Sequence, residues 1–322
     1  MLNRRSVVQG IFAIGATSSL GACQSGGLAG AMLGSREAPI GIQLYTLGDL
    51  PQKDLEGTLR AVAQIGYKRV ELGLSGRSPA ELRSVLDRVG LQCTSVHVGL
   101  TGGTADSPDL TGDIDRVAEG VKAVGATYVV VPMFAPPAHV KMALLPGEDL
   151  PGLIKRVADS ITAEEWKRLA SRLNGIGRAL AQHGLKLGYH NHNVEFAPRG
   201  TTTGWDILVS ETDPDLVVFE LDVGWVSAAG LDPVEVLRRS PGRFRLMHVK
   251  DLKDTTPQNF LMTMEPTEVG SGRVDWERVL AAARDAGVRE YFVEQEPPFE
   301  RDRLEAARIS FDFLSGKTRL AD

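Results

Sequence analysis

Histidines and carboxylates follow four short apolar segments in the second half of the chain. The segments are LGYHNHNVEF, FELDVGWV, LMHVKDLK and YFVEQEPP, and their polar residues are His190, His192, Asp222, His248, Lys250, Glu294 and Glu296. Side chains of these types bind divalent metals or transfer protons. Strands that end in such residues are typical of a barrel whose active site lies at the carboxyl ends of its strands. The pattern therefore predicts an enzyme.

Because side chains alternate along a strand, residues two apart share a face. The predicted inward faces are Gly188–His190–His192, Val218–Glu220–Asp222, Leu246–His248–Lys250 and Phe292–Glu294–Glu296. His190, Asp222, His248 and Glu294 then form a ring at one depth. Two imidazoles and two carboxylates suit Mn²⁺, Zn²⁺, Co²⁺ or Fe²⁺ better than Mg²⁺. The sequence therefore predicts one divalent metal ion bound by this ring.

The first half of the chain supplies polar residues but no second set of ligands. Gln43 and Tyr45 are predicted to end the first strand, Glu71 the second and His97 the third. At those positions they would face a substrate from across the mouth of the barrel. For each residue alone, a structural role remains an equal alternative.

Eight strand-like segments alternate with helical patterns after residue 39. The predicted strands are Ile40–Tyr45, Arg69–Gly73, Gln92–Val98, Tyr128–Pro132, Lys186–His190, Val217–Val223, Phe244–Val249 and Tyr291–Glu296. Capping boxes at Ser78 and Thr162 predict helix starts, and glycines such as Gly90 and Gly125 predict helix ends. The fold class is α/β, a single (β/α)₈ TIM barrel over residues 39–322. The long connections 135–161 and 254–273 either shape the pocket or are ordinary insertions.

The N-terminus is typical of an export signal. Arg4 and Arg5 precede a short apolar run, as in a twin-arginine signal peptide, which we assign to residues 1–22. The following Leu-Gly-Ala-Cys resembles a bacterial lipobox, which predicts lipidation of Cys23 and a flexible tether over residues 23–38. The protein would then be a periplasmic or cell-surface lipoprotein that meets the membrane only through its lipid anchor. A plain signal peptide cleaved near Ala22 is the alternative.

Composition narrows the classes of partner. The net charge of −5 disfavours binding to a phosphate backbone, so we expect no nucleic-acid partner. Apart from Cys23 the chain has one cysteine, Cys93, in an apolar strand, where it is expected to be a small buried hydrophobe.

The motifs YHNHNVEF, LDVGWV, HVKD, EVGSGRVDW and VEQE, with the opening strand GIQLYTL, resemble the sugar phosphate isomerase/epimerase family. Its members are xylose isomerase-like TIM barrels that include tagatose epimerases, hydroxypyruvate isomerases, inosose dehydratases and 3-dehydroshikimate dehydratases. The likeness covers nearly all of residues 39–316. It implies one divalent metal held by groups from strands five to eight.

The resemblance also implies roles for single residues. Asp222, His248 and Glu294 match the family's ligands, whereas His190 falls where many members have a glutamate. His192 matches a substrate-contacting histidine of the dehydratases, and Trp225 stands where epimerases have a histidine. The candidates for acid or base are Glu294, His192 and Lys250; those for substrate binding are Gln43, Tyr45, Glu71, His97, Trp225 and Glu296.

The function implied is a metal-dependent carbohydrate isomerase or lyase that removes a proton next to a sugar carbonyl. Two-base epimerisation is less expected, because His190 replaces one of the paired glutamates. Export favours a free sugar, keto-sugar or 3-keto-glycoside as substrate. The alternatives are a catalytically inactive sugar-binding lipoprotein and, more remotely, an endonuclease IV-like phosphodiesterase, which would need more histidines than the six present and a basic face.

Overall fold

Eight parallel strands form the closed barrel that the sequence predicts. The computed structural model describes residues 33–34, 38–74, 76–104, 108–137 and 139–317. The barrel strands are β1 Ile40–Gln43, β2 Arg69–Gly73, β3 Gln92–His97, β4 Tyr128–Val131, β5 Lys186–His190, β6 Val217–Asp222, β7 Phe244–Val249 and β8 Glu290–Val293. Each strand pairs with its neighbours in sequence, and β1 pairs with β8 to close the barrel. The (β/α)₈ prediction is confirmed.

Helices surround the barrel. They are α1 Leu50–Lys53, α2 Leu55–Ile65, α3 Pro79–Val89, α4 Ile114–Val124, α5 Leu150–Ser160, α6 Ala163–Gln182, α7 Gly204–Glu211, α8 Val223–Ala228, α9 Pro233–Arg239, α10 Trp276–Ala286 and α11 Arg303–Leu314. The side chains of Ser78 and Thr162 accept the predicted capping bonds from the third residues of α3 and α6. Gly90 and Gly125 follow α3 and α4 with φ of 75° and 90°, a region that favours glycine.

A small apolar cluster fills the barrel below the predicted polar ring. Val130, Val218, Leu246 and Phe292 pack together there and are almost completely buried. A Cβ atom on Gly188 would come within 3.0 Å of Val130, so this glycine also faces inward. The strand phase expected from the sequence is therefore the phase observed.

Several segments differ from the predicted elements, and strand β8 ends at Val293, so that Glu294 and Glu296 follow the strand. Strand β1 ends at Gln43, and a 3-10 helix, Leu44–Leu47, carries Tyr45 away from the strand. The connection after β4 contains helix α5, which was not predicted. Pro151 lies in the first turn of this helix, where a backbone N–H would have no partner within the helix and its loss costs nothing. After β7, Asp251–Leu252 pairs antiparallel with Pro266–Thr267.

The ordered contacts begin before residue 39. Leu33, inside the predicted tether, is 2% exposed, and its N–H donates to the carbonyl of Leu314 at 3.0 Å. The predicted signal segment 1–22 and Cys23 lie outside the described residues. Within the described part of the chain, no helix combines the length and the apolar character needed to cross a membrane.

Candidate active site and metal centre

The four residues of the predicted ring converge at the carboxyl ends of β5 to β8. One potential ligand atom from each of His190, Asp222, His248 and Glu294 lies within 4.8 Å of the others. His248 Nδ1 is 2.9 Å from Glu294 Oε2 and 3.7 Å from Asp222 Oδ2, while His190 Nε2 is 3.8 Å from Asp222 Oδ2. All four side chains are buried. This group has the size and composition to hold one divalent cation.

Asp222 shows how well the ring fits a cation. Its Oδ1 accepts the backbone N–H of Trp225 at 2.9 Å, which fixes the carboxylate at the start of α8. Its Oδ2 is buried and has no hydrogen-bond partner among the described residues, although Lys250 Nζ lies 2.9 Å away without the alignment of a hydrogen bond. A buried carboxylate oxygen without a hydrogen bond, facing two imidazole nitrogens, fits a metal ligand.

Two more carboxylates contact the imidazole nitrogens of His190 and His248 that point away from the ring. Glu220 Oε2 is 3.0 Å from His190 Nδ1, and Glu71 Oε2 is 2.6 Å from His248 Nε2. Such bonds fix the orientation and tautomer of a metal-binding histidine. Sequence analysis assigned no role to Glu220, although its position two residues before Asp222 placed it on the inward face of the strand.

Glu71 lies deeper than the sequence implied. It is completely buried beneath His248, accepts from Gln43 Nε2 at 2.9 Å, and also bonds to Ser95. It does not line the cavity, so the expectation that it contacts substrate is not met. The reason is that β2 ends with Gly73, and Glu71 therefore stands one inward position below the mouth.

A second, deeper group could also hold an ion. His97, His190, Glu220 and His248 meet the same distance criterion. In this group Glu220 Oε2 already lies 3.0 Å from both His97 Nε2 and His190 Nδ1. Each group contains a buried carboxylate oxygen without a hydrogen-bond partner among the described residues, Glu220 Oε1 in the deeper group and Asp222 Oδ2 in the upper ring. The upper ring is the better candidate because its two carboxylates offset the charge of a divalent ion, whereas the deeper group has one.

Lys250 carries the positive charge nearest to the ring. It is completely buried, and its Nζ lies 2.7 Å from Glu294 Oε2 and 3.0 Å from Glu296 Oε1. Burial opposes its charge, but Asp222, Glu294 and Glu296 outweigh burial and raise the pKa of Lys250 well above its usual range. The aliphatic part of the Lys250 side chain packs against Gly224. A Cβ atom on residue 224 would come within 2.7 Å of Lys250 Cγ, so the lysine needs a glycine at this position.

Burial and neighbouring charges shift the other titratable groups. Burial and then the charge of His248 lower the pKa of His190, which favours the neutral imidazole that metals require. Burial and Lys250 lower the pKa of His192 to about 3. Burial and then Glu71 raise the pKa of Glu220 to about 7.

A cavity of about 830 Å³ opens above the ring. Its lining includes the predicted residues Gln43, Tyr45, His97, His190, His192, Trp225, Glu294 and Glu296. Tyr45 is 55% exposed at the mouth, where it arrives on the 3-10 helix instead of the strand. Met133 and Ile154 follow β4, while Met262 and Met264 follow β7, so both long connections shape the pocket.

The barrel and its ring place the chain among known proteins. Residues 59–316 match the family model described as the xylose isomerase-like TIM barrel. The chain belongs to this family. The resemblance inferred from its motifs is confirmed.

Individual relatives share the fold at low identity. The chain is 27% identical to an inosose dehydratase of Lacticaseibacillus casei, over 82% of this chain and 91% of that protein. It is 30% identical to an inosose dehydratase of Geobacillus kaustophilus, over 64% of each chain. Among solved structures, a sugar phosphate isomerase/epimerase from Parabacteroides distasonis aligns with a TM-score of 0.65 and 23% identity, covering 94% of this chain and 98% of that one.

Proposed function

We propose that the protein is a metal-dependent lyase or isomerase that acts next to a carbonyl group of a carbohydrate. The observation that carries the proposal is the ring of His190, Asp222, His248 and Glu294 at the inner end of a large cavity. Two relatives of the chain are inosose dehydratases, and this similarity supports the dehydration of a carbohydrate as the reaction.

The proposed chemistry divides between the ring and the groups beside it. A divalent ion held by the ring would act as a Lewis acid toward a substrate carbonyl. His192 lines the cavity, where its ring lies 5.4 Å from the ring of Trp225, and it is the side chain that we propose exchanges a proton with the substrate. Lys250 holds the positive charge that balances Glu294 and Glu296. Glu294 is the alternative base.

Elimination and isomerisation begin with the same step. A base removes the proton from the carbon next to the carbonyl, and the electron pair forms an enediolate or enolate. In elimination that pair then forms a carbon–carbon double bond while the β-oxygen leaves with its bonding electrons and accepts a proton. In isomerisation the proton returns to the neighbouring carbon. We favour these outcomes over epimerisation because His190 replaces one of the family's paired glutamates.

The contacts of Arg77 favour a substrate without phosphate. Arg77 is the one arginine among the described residues that line the cavity. Its Nη1 donates to Glu81 at 2.7 Å, and its Nη2 lies 3.4 Å from the carbonyls of Pro51 and Gln52. A phosphate would have to compete with these bonds, so we propose a free sugar, a keto-sugar or a 3-keto-glycoside.

Metal analysis followed by solvent exchange tests the proposal. Purified protein should hold one divalent ion per chain, and incubation with keto-sugars and 3-keto-glycosides in deuterated water should place deuterium next to the carbonyl. Asp222→Asn should remove both properties. Conversion of a substrate without dependence on a metal would contradict the mechanism. Neither the inactive sugar-binding protein nor the phosphodiesterase gains support from this site, because the four ligands are intact and the two possible ion groups share His190 and His248.

We also propose that the protein is exported and lipidated at Cys23. The support is the sequence alone, Arg4-Arg5 before a short apolar run that ends in Leu-Gly-Ala-Cys. Mass spectrometry of the membrane fraction should find an acylated Cys23 as the first residue. An intact N-terminus in the cytoplasmic fraction would contradict the assignment.

A further inference from the structure

The outer wall of the cavity differs in chemistry from its inner end. The inner end carries the histidines and carboxylates, whereas Leu55, Leu82, Met133, Ile154, Met262 and Met264 line the cavity from the surrounding loops and helices. A bare sugar has hydroxyl groups all round, and those placed against an apolar wall would lose water without gaining a partner. A ligand with a sugar at one end and an apolar group at the other suits both halves of the cavity.

Trp225 connects the apolar wall to the proposed catalytic groups. Met262 and Met264 pack against a cluster that contains Trp225. The Trp225 ring lies 5.4 Å from the His192 ring, and Lys250 Nζ lies 5.0 Å from the Trp225 ring centroid. An apolar group held here would adjoin the side chains available to protonate a departing oxygen.

The methionine segment is held in an unusual backbone conformation. Met262 has φ of 53°, which no other non-glycine residue of the described chain shares. Such strain persists where the surroundings impose it, and it concentrates at binding sites. The side chain of Asn193, which is completely buried, supplies the restraint here: its Oδ1 accepts the N–H of Met262 at 3.0 Å.

The same asparagine fixes the rest of this segment. Asn193 Nδ2 donates to the side-chain oxygen of Asn259 at 2.8 Å and to its carbonyl at 3.0 Å. Asn259 Nδ2 in turn donates to the carbonyl of Thr263 at 2.9 Å. Since Asn193 follows directly after His192, the position of the methionines is tied to the end of β5.

We propose that Trp225, Met262 and Met264 form a subsite for an apolar, preferably aromatic, group joined to the sugar, and that Asn193 positions it. Thioethers and an indole ring make favourable contacts with aromatic faces and adapt to groups of different shape. The inference rests on the proposed function for the sugar end of the ligand. With this subsite, the protein would prefer a glycoside that has an apolar aglycone over a free sugar.

Binding of two stable glycosides tests the subsite without any turnover. The metal-loaded full chain should bind phenyl β-glucoside at least about tenfold more tightly than methyl β-glucoside in calorimetric titrations. Met264→Ala should reduce this preference severalfold. Met142→Ala is the matched control, because Met142 is 56% exposed and does not line the cavity, and it should leave the preference unchanged.

Variants of Asn193 separate positioning from general stability. Asn193→Ala should reduce the phenyl preference, while Asn193→Asp, which retains an acceptor for the Met262 N–H, should restore part of it. Equal affinities for the two glucosides, no binding of the phenyl compound, or an unchanged preference in Met264→Ala would overturn the subsite. If the phenyl preference is present but no keto-sugar exchanges a proton with solvent, the proposed function fails and the subsite stands.

Discussion

Replacing Glu220 by glutamine should weaken metal binding without unfolding the barrel. Glu220 is completely buried, and its Oε2 lies 3.0 Å from His190 Nδ1. The substitution keeps the shape of the side chain but removes the charge that holds this imidazole with Nε2 toward the ring. It also removes a carboxylate beside Glu71, whose negative charge raises the pKa of Glu220. The metal-free protein should therefore keep most of its stability.

The size of the effect follows from the bond that is weakened. A hydrogen bond to a charged group contributes about 1.5–3 kcal/mol, and loss of a carboxylate behind a metal-binding histidine typically lowers metal affinity about 10–100-fold. Glu220 Oε2 also lies 3.2 Å from His248 Nε2, but Glu71 Oε2 is closer to that nitrogen at 2.6 Å. His190 is therefore the ring residue whose orientation depends on Glu220. We therefore expect a decrease of about 10–100-fold in affinity for Glu220→Gln, and a larger decrease for Asp222→Asn, which alters a ligand.

Competition with a chelator that reports Zn²⁺ or Mn²⁺ would measure both affinities. Glu277→Gln is the matched control, because Glu277 is exposed on α10. The affinity of this variant for the metal should equal that of the unaltered protein. Thermal unfolding of the metal-free variants checks that each remains folded. If Glu220→Gln loses more affinity than Asp222→Asn, the ion belongs to the deeper group with His97, and the assignment of the upper ring is wrong.

Three further outcomes are expected. Lys250→Met should lower turnover about 10²–10⁴-fold while metal content, measured by elemental analysis, stays near one ion per chain, because an ammonium group is not a ligand. Asp251→Asn should destabilise the fold by about 2–3 kcal/mol in denaturant unfolding, since this buried carboxylate accepts bonds from Gly270, Gly272 and Trp276 that an amide nitrogen cannot accept. Removing the metal should lower the unfolding temperature, because an ion present at about 100 times its dissociation constant adds about 2.7 kcal/mol to the stability.

The ring was predictable because its geometry depends on local alternation. Once His190 and His248 are assigned to strands, the period of two decides which neighbours share their face, and barrel closure brings the four strand ends together. The N-caps at Ser78 and Thr162 were equally local. The structure confirms the barrel and these helix starts.

The features that the sequence missed depend on neighbours far away in the chain. Glu71 binds His248 across 177 residues, and no local pattern distinguishes a carboxylate beneath the ring from one that faces the substrate. Tyr45 was placed by extending β1 two residues too far, although it still lines the cavity. Helix α5 was not predicted, because the connection 135–161 was assigned no element of its own, although the proline in the first turn of this helix is a favourable start signal.

The barrel separates the part of the site that must remain constant from the part that can vary. Glu220 and Asp222 on β6 supply two adjacent levels of the site, and so do His248 on β7 and Lys250 directly after that strand. A shift of one residue would turn Leu221 or Val249 inward and remove both levels at once. Met262 and Met264 instead lie on a connection held by side-chain bonds, where substitution changes the wall without changing any strand. The metal-binding chemistry is therefore tied to the fold, and the choice of substrate is left to the loops.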